Sequence, residues 1–209
     1  MAGQTYEFDL MQMSAIREMA NIGLGHATTA LANVTGKSFN MDIPNVETVC
    51  LEEVPMMMGD PSDVCVGISM PIEGDVEGYT AFLFPWKSAQ ELWGMLLGYS
   101  PESPEDVDDL PASAMLEVGN ILSASFMNAL SDMTGLKIHA TPPMVSIDLA
   151  YTIAASIVAE AELSDAVALA IETRLFGMEN QQTTGYFLCV PTLEGLNKLF
   201  AALGIQGAA

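Results

Sequence analysis

Ser14-Ala-Ile-Arg-Glu-Met-Ala-Asn-Ile-Gly23 returns, 99 positions later, as Ser113-Ala-Met-Leu-Glu-Val-Gly-Asn-Ile-Leu122. The offset holds without a gap: Ala30, Leu31, Thr35 and Gly36 recur as Ala129, Leu130, Thr134 and Gly135, and Pro44 falls on Pro143. With a different offset Gly78-Tyr79 recurs as Gly185-Tyr186, and Pro85 with the run to Gly98 matches Pro191 with the run to Gly204. A repeat of this length means that one structural unit is built twice. Repeat one covers about residues 8–99 and repeat two about 110–205, and the chain is read as a single domain made of these two halves. Between them Pro101-Glu-Ser-Pro-Glu-Asp-Val-Asp-Asp109 is rich in proline and acid, which predicts a solvated linker over 100–109.

Working outward from the repeated stretch, Asp9 with Gln12 three residues later is a helix start, and apolar spacing continues to Val34 before Gly36 stops it. The counterpart starts near Asp109 with Pro111 in its first turn and ends before Gly135. An extended segment follows each helix, with strand candidates Val46–Leu51 and Val145–Ile147, and then a short helix. Val64–Met70 and Tyr79–Phe84, linked through Glu73-Gly-Asp75, read as a hairpin, as do Ala166–Leu175 and Gly185–Val190. Closing helices are predicted over Trp86–Leu97 and Leu193–Leu203. Helix, strand, short helix, hairpin, helix, twice over, predicts an α+β fold whose halves share an antiparallel sheet about a pseudo-twofold axis.

Composition narrows the function. Half of the 209 residues are hydrophobic, enough to fill a substantial core. The 27 Asp and Glu against 6 Lys and Arg leave a formal charge of −21. That balance repels nucleic acid, which needs a basic surface to displace its counterions, and it disfavours an anionic membrane. Met1-Ala-Gly-Gln-Thr-Tyr-Glu shows neither the basic nor the apolar region of a secretory signal. The longest apolar run, Leu149–Ala159, is about half of the ~20 residues a membrane span requires. The expectation is a soluble cytoplasmic protein without membrane insertion.

Cys50, Cys65 and Cys189 are odd in number, widely spaced and flanked by Val or Leu, so they read as core residues. His26 and His139 have no ligand partners at metal spacing, and no metal or cofactor of the protein's own is expected. No P-loop, dinucleotide fingerprint or G-x-S-x-G occurs. Met56-Met-Met58 reads as a buried short helix, with an adaptable contact surface as the alternative.

Placed at 100° per residue, Ile16, Met19, Ala20, Gly23, Ala27, Ala30, Leu31 and Val34 form the inner side of the first helix. Ser14, Glu18, Asn21, Gly25 and Thr28 form the outer side, with Arg17 at its margin. The second helix turns Met115, Val118, Gly119, Leu122, Phe126, Ala129 and Leu130 inward. Its outer side carries Ser113, Glu117, Asn120 and Ala124, with Met127 at the edge. On one helix an exposed Glu and Asn would be a solvated surface. Asparagine is a mediocre helix former, however, and here it recurs outward in both halves while most outward positions differ. Gly25 and Ala124 leave room for another molecule to approach the backbone. Two explanations remain, a binding or catalytic stripe and an ancestral residue pattern that has not faded.

Ser14-x-x-x-Glu18-x-x-Asn21 followed by 22 residues and Pro44, and Ser113-x-x-x-Glu117-x-x-Asn120 followed by 22 residues and Pro143, resemble the signature of the CheC, CheX and FliY phosphatases of chemotaxis. The similarity covers nearly the whole chain. Two complete motifs resemble the CheC branch more than CheX, which is shorter and carries one. FliY is a weaker match, since no further flagellar-switch domain follows Ile205.

The resemblance implies a phosphatase acting on phosphorylated CheY, the response regulator that sets flagellar rotation. In it Asn21 and Asn120 would orient the attacking water, and Glu18 and Glu117 would pair with the regulator's active-site lysine. Ser14 and Ser113 would either support the site or serve as helix-surface or capping residues. Pro44 and Pro143 would fix the turn behind each helix. Mg²⁺ would arrive with the phosphorylated regulator. The family also implies CheD, a receptor deamidase, as a partner. The competing reading is a non-catalytic adaptor that binds phosphorylated CheY or CheD.

Overall fold

A computed structural model describes residues 8–50, 53–160, 167–176 and 182–205. In chain order the elements are α1 (Leu10–Thr35), β1 (Asn40–Cys50), α2 (Val54–Met57), β2 (Val64–Gly74), β3 (Gly78–Pro85) and α3 (Trp86–Leu97). The second half continues with α4 (Asp109–Thr134), β4 (Ile138–Ala140), β5 (Met144–Leu149), α5 (Ala150–Glu160), β6 (Val167–Phe176), β7 (Gln182–Pro191) and α6 (Leu193–Ala202).

The two long helices begin and end by chemistry that the sequence carries locally. Asp9 Oδ1 accepts hydrogen bonds from the amides of Met11 and Gln12, and Gln12 Oε1 accepts one from the Asp9 amide at 2.9 Å, a closed capping box. Asp108 caps α4 through the Leu110 amide. At the far ends Thr35 and Thr134 each donate a hydroxyl to the carbonyl four residues back, that of Leu31 and of Leu130. Each also accepts from the amide two residues on, Lys37 and Leu136. Gly36 and Gly135 then adopt φ values of 67° and 72°, which a side chain would resist. The repeated Thr-Gly pair is thus one helix-terminating device used twice.

Among the described residues the seven strands form one antiparallel sheet in the order β1-β6-β7-β3-β2-β4, with β5 also paired to β2. Exchanging the halves turns this order into its own reverse, with β5 answering to β1. The central ladder places Ala81 opposite Leu188, Tyr79 opposite Val190 and Leu83 opposite Tyr186, so the pseudo-twofold axis passes beside the Ala81–Leu188 pair. The first strand of each half pairs with the hairpin of the other, β1 with β6 and β5 with β2. The halves are interlocked.

Side chains alternate across the sheet with the period of two that strands impose. Val66, Ile68, Met70, Phe82, Phe84, Phe187 and Cys189 join the larger core beneath α1, α3, α4 and α6. Cys65, Ala81, Leu83, Leu188 and Val190 face the smaller core closed by α2 and α5. Phe187 stacks on Phe82 and meets Phe126 of α4 edge-on, tying helix to sheet. No helix among the described residues is long and apolar enough to cross a membrane.

Several expectations need correction. β1 starts six residues earlier than expected, at Asn40, and runs through Pro44; Leu51 lies outside the described residues, as does Ala166 at the expected start of β6. The first hairpin turns at 75–77, so of Glu73-Gly-Asp75 only Asp75 lies in the turn, because Glu73 and Gly74 still belong to β2. The short strand β4 went unforeseen, and the second short helix, α5, has 11 residues. Part of the linker is ordered, with a 3-10 turn at Pro104–Asp106 and Pro101 buried where its carbonyl accepts from Gln90 Nε2. Met127 is 1% exposed and Val34 60%, the reverse of their assigned sides, and Met56 is 69% exposed. Periodicity gives an angle around a helix axis; the neighbouring elements decide which angles are covered.

Candidate functional site

α1 and α4 pack against each other over the larger core, with α1 beside the edge strand β1 and α4 beside β4 at the opposite edge. Their approach is close. A methyl group at Gly23 would stand 2.8 Å from the Phe126 ring, and one at Gly119 would press into the Ile68 side chain on the sheet. Trp93 of α3 holds the start of α4 by donating to the Pro111 carbonyl at 2.9 Å.

This packing turns both motifs outward. Ser14, Glu18, Asn21 and Gly25 are exposed on α1, and Ser113, Glu117, Asn120 and Ala124 are exposed on α4. Among the described residues none of the two Glu and two Asn side chains is engaged in a hydrogen bond or ion pair. They are therefore free to bond to another molecule. The structure brings Ser14, Glu18 and Asn21 together on one helix flank and Ser113, Glu117 and Asn120 on another, as two separate stripes.

Pro44 sits within β1, which corrects its assignment to a turn, whereas Pro143 lies in the coil that joins β4 to β5. β1 opposes Asp42 to Arg174 and Asn45 to Glu172, so Ile43-Pro44 carries one residue more than its partner strand. The second half repeats this irregularity: Ala140 opposes Ile72 and Met144 opposes Ser69, again with one extra residue, at Pro143. A proline lacks the ladder donor and is tolerated where the register slips. In the second half the slip opens into coil at Thr141–Pro143, anchored by the Thr141 amide on the Pro71 carbonyl at 3.0 Å.

That coil and α4 enclose an open groove of about 510 Å³ lined by Ser113, Leu116, Glu117, Asn120 and residues 140–143. Sequence reasoning missed Leu116, Ala140, Thr141 and Pro142 as walls. The Pro142-Pro143 pair, falling on Ile43-Pro44 in the repeat, was the available signal.

The remaining chemistry is limited. Burial pushes the Cys65 and Cys189 thiols up to about 12, with Asp148 adding to the rise at Cys65, so neither is poised as a nucleophile. The Cys50 side chain lies outside the described residues. His26 is exposed, and His139 faces Glu73 at 3.5 Å. No group of three or more His, Cys, Asp or Glu among the described residues is arranged to hold a metal ion.

Residues 11–47 and 111–147, one segment in each half, match the CheC-like family. The chain is similar to the CheY-P phosphatase CheC of Bacillus subtilis, 30% identical over 92% of this chain and 94% of that protein. Its fold is similar to that of Thermotoga maritima FliY, with a TM-score of 0.77 at 20% identity over 94% of this chain and 98% of the other. It is also similar, at a TM-score of 0.51 and 14% identity, to a chain covering 86% of this one and itself covered to 98%, solved in a CheX–CheY–BeF3–Mg complex from Borrelia burgdorferi. The full-length similarity and the family match in each half together establish that this chain belongs to the CheC-like family.

Proposed function

We propose that this protein accelerates hydrolysis of the aspartyl phosphate on a CheY-type response regulator, using the α1 and α4 stripes as two docking and catalytic sites. The observation that carries this reading is the pair of exposed, unpartnered Glu-Asn sets at matching positions of α1 and α4. The relatives' phosphatase name supports the same reaction class.

An acyl phosphate is reactive by itself, so a helper needs chiefly to position water in line with the bond to be broken. Water oxygen attacks phosphorus, the bond from phosphorus to the aspartyl oxygen breaks, and inorganic phosphate and the free carboxylate result. A carboxamide suits the task because its oxygen accepts from water while its NH₂ donates. A carboxylate in that place would repel the phosphoryl group. Asn21 and Asn120 take this role. Glu18 and Glu117, three positions earlier on the same helix face, pair with the regulator's active-site lysine and hold the two proteins in register. Mg²⁺ belongs to the phosphorylated regulator. Pairing with CheD rests on the family resemblance, and a binding titration with CheD checks it.

The test is phosphate release from phosphorylated CheY with Mg²⁺. The Asn21→Ala, Asn120→Ala double variant should lose about a hundredfold of the acceleration with a smaller effect on docking. Equal decay with the native protein and the double variant would replace catalysis by an adaptor role. Because a chain at −21 repels an acidic regulator at low ionic strength, the rate should rise with moderate salt. A steady decline from low salt upward would show attraction instead.

A further inference from the structure

The two stripes differ in charge at one position. Residue 17, immediately before Glu18, is arginine; its repeat counterpart, residue 116, is leucine. Leu116 lines the second groove together with Ser113, Glu117 and Asn120, so this position faces the motif. At 100° per residue Arg17 stands about 40° from Asn21, one turn earlier, and about 100° from Glu18. The opposite wall differs too: Ala140, Thr141 and Pro142 in the second half correspond to Met41, Asp42 and Ile43 in the first, and Asp42 is exposed.

Arg17 is exposed and takes no ion pair or hydrogen bond among the described residues. Cations are scarce on this chain, 6 against 27 acids. Three of them are committed: Lys37 donates to the Met95 and Leu96 carbonyls, Arg174 pairs with Glu172 and Lys198 with Glu194. A guanidinium left free beside Asn21, on a surface that otherwise repels anions, is placed to receive one from outside.

Resting on the function proposed above, we propose that Arg17 is a specificity-determining contact of the first site, pairing with a carboxylate on the regulator's acidic surface. The first site then docks through charge, and the second through the apolar wall of Leu116, Ala140 and Pro142. Guanidinium and carboxylate suit each other through paired N–H donors, and such an exposed pair acts mainly on encounter and register.

The test isolates each site, with Glu117→Ala, Asn120→Ala leaving the first and Glu18→Ala, Asn21→Ala leaving the second. In the first-site protein Arg17→Leu should raise KM for phosphorylated CheY about two- to fivefold at low salt, with kcat unchanged, and the effect should fade as salt rises. Leu116→Arg in the second-site protein should lower KM by a similar factor. Lys87→Leu on α3, exposed and equal in charge change, should leave KM where it was. Arg17→Leu behaving like Lys87→Leu at every salt concentration would overturn the proposal, as would a loss confined to kcat. If neither single-site protein releases phosphate, the catalytic reading fails by itself. A titration of the first-site protein with phosphorylated CheY then decides the matter for Arg17, since equal affinity with and without the guanidinium would refute the contact.

Discussion

In the first half the strand beside the motif helix runs unbroken from Asn40 to Cys50, whereas in the second half it parts into β4 and β5 with a groove between coil and helix. Both carry the same one-residue slip at the same repeat position. The first half places Ile43-Pro44 there and loses one backbone donor. The second places Pro142-Pro143 there and loses two, opposite a stretch of β2 that holds Pro71. A ladder deprived of successive donors cannot close. Pro142 and Pro71, which have no proline counterparts in β1 and β6, thus accompany the open groove in place of a continuous edge strand, while the outward Ser, Glu and Asn and the Thr-Gly helix ends stay the same.

Comparing the single asparagine variants is the most forceful way to break this likeness. If the halves are equivalent, Asn21→Ala and Asn120→Ala should each cost about half the phosphate-release rate, and only the double variant the ~hundredfold loss expected of misplaced water. One single variant that removes nearly all activity would show that the groove, or the charge beside it, has made one site dominant.

Next in size are the two tight glycines. Gly119→Ala presses a methyl on Ile68 and should destabilise by about 1–3 kcal/mol in chemical denaturation. Gly23→Ala, which meets the Phe126 ring edge and its Cα, should cost a similar amount or slightly less. If Gly119→Ala proves neutral, α4 or the Ile68 side chain can shift to admit a methyl group where the structure leaves no room for one.

The smallest effect concerns the groove itself. Pro142→Ile restores the first half's residue and a backbone donor, which should add about 0.5–1 kcal/mol of stability. Slower amide exchange through 140–144 should accompany it, together with a higher KM at the second site as the groove narrows. Unchanged exchange would assign the opening to Pro143 or Pro71 instead.

Much of the helical framework was legible because its signals are short-range. Asp9 with Gln12, and Thr-Gly at both helix ends, act within four residues of themselves, and their chemistry is the same in any fold. The outward Glu-Asn stripes were legible for another reason. The repeat supplied a second copy, and agreement at outward positions amid disagreement elsewhere marks them. Met127 and Val34 escaped because a helical wheel has no knowledge of the strand or helix laid against it. β4 escaped because three residues, Ile138–Ala140, are too few to display a period.

What the chain's order of residues determined by itself was the duplication, the start and stop of α1 and α4, and which side chains share a face, since each follows from local bonding or from self-similarity. Tertiary packing alone decided that β1 and β5 cross to the opposite hairpins, that Pro44 lies in a slipped ladder and Pro143 in the coil of the matching slip, and that Leu116 and residues 140–143 wall one motif. Those outcomes depend on strands distant in sequence competing for the same backbone donors and acceptors. A linear reading sees each donor, but not the partner that claims it.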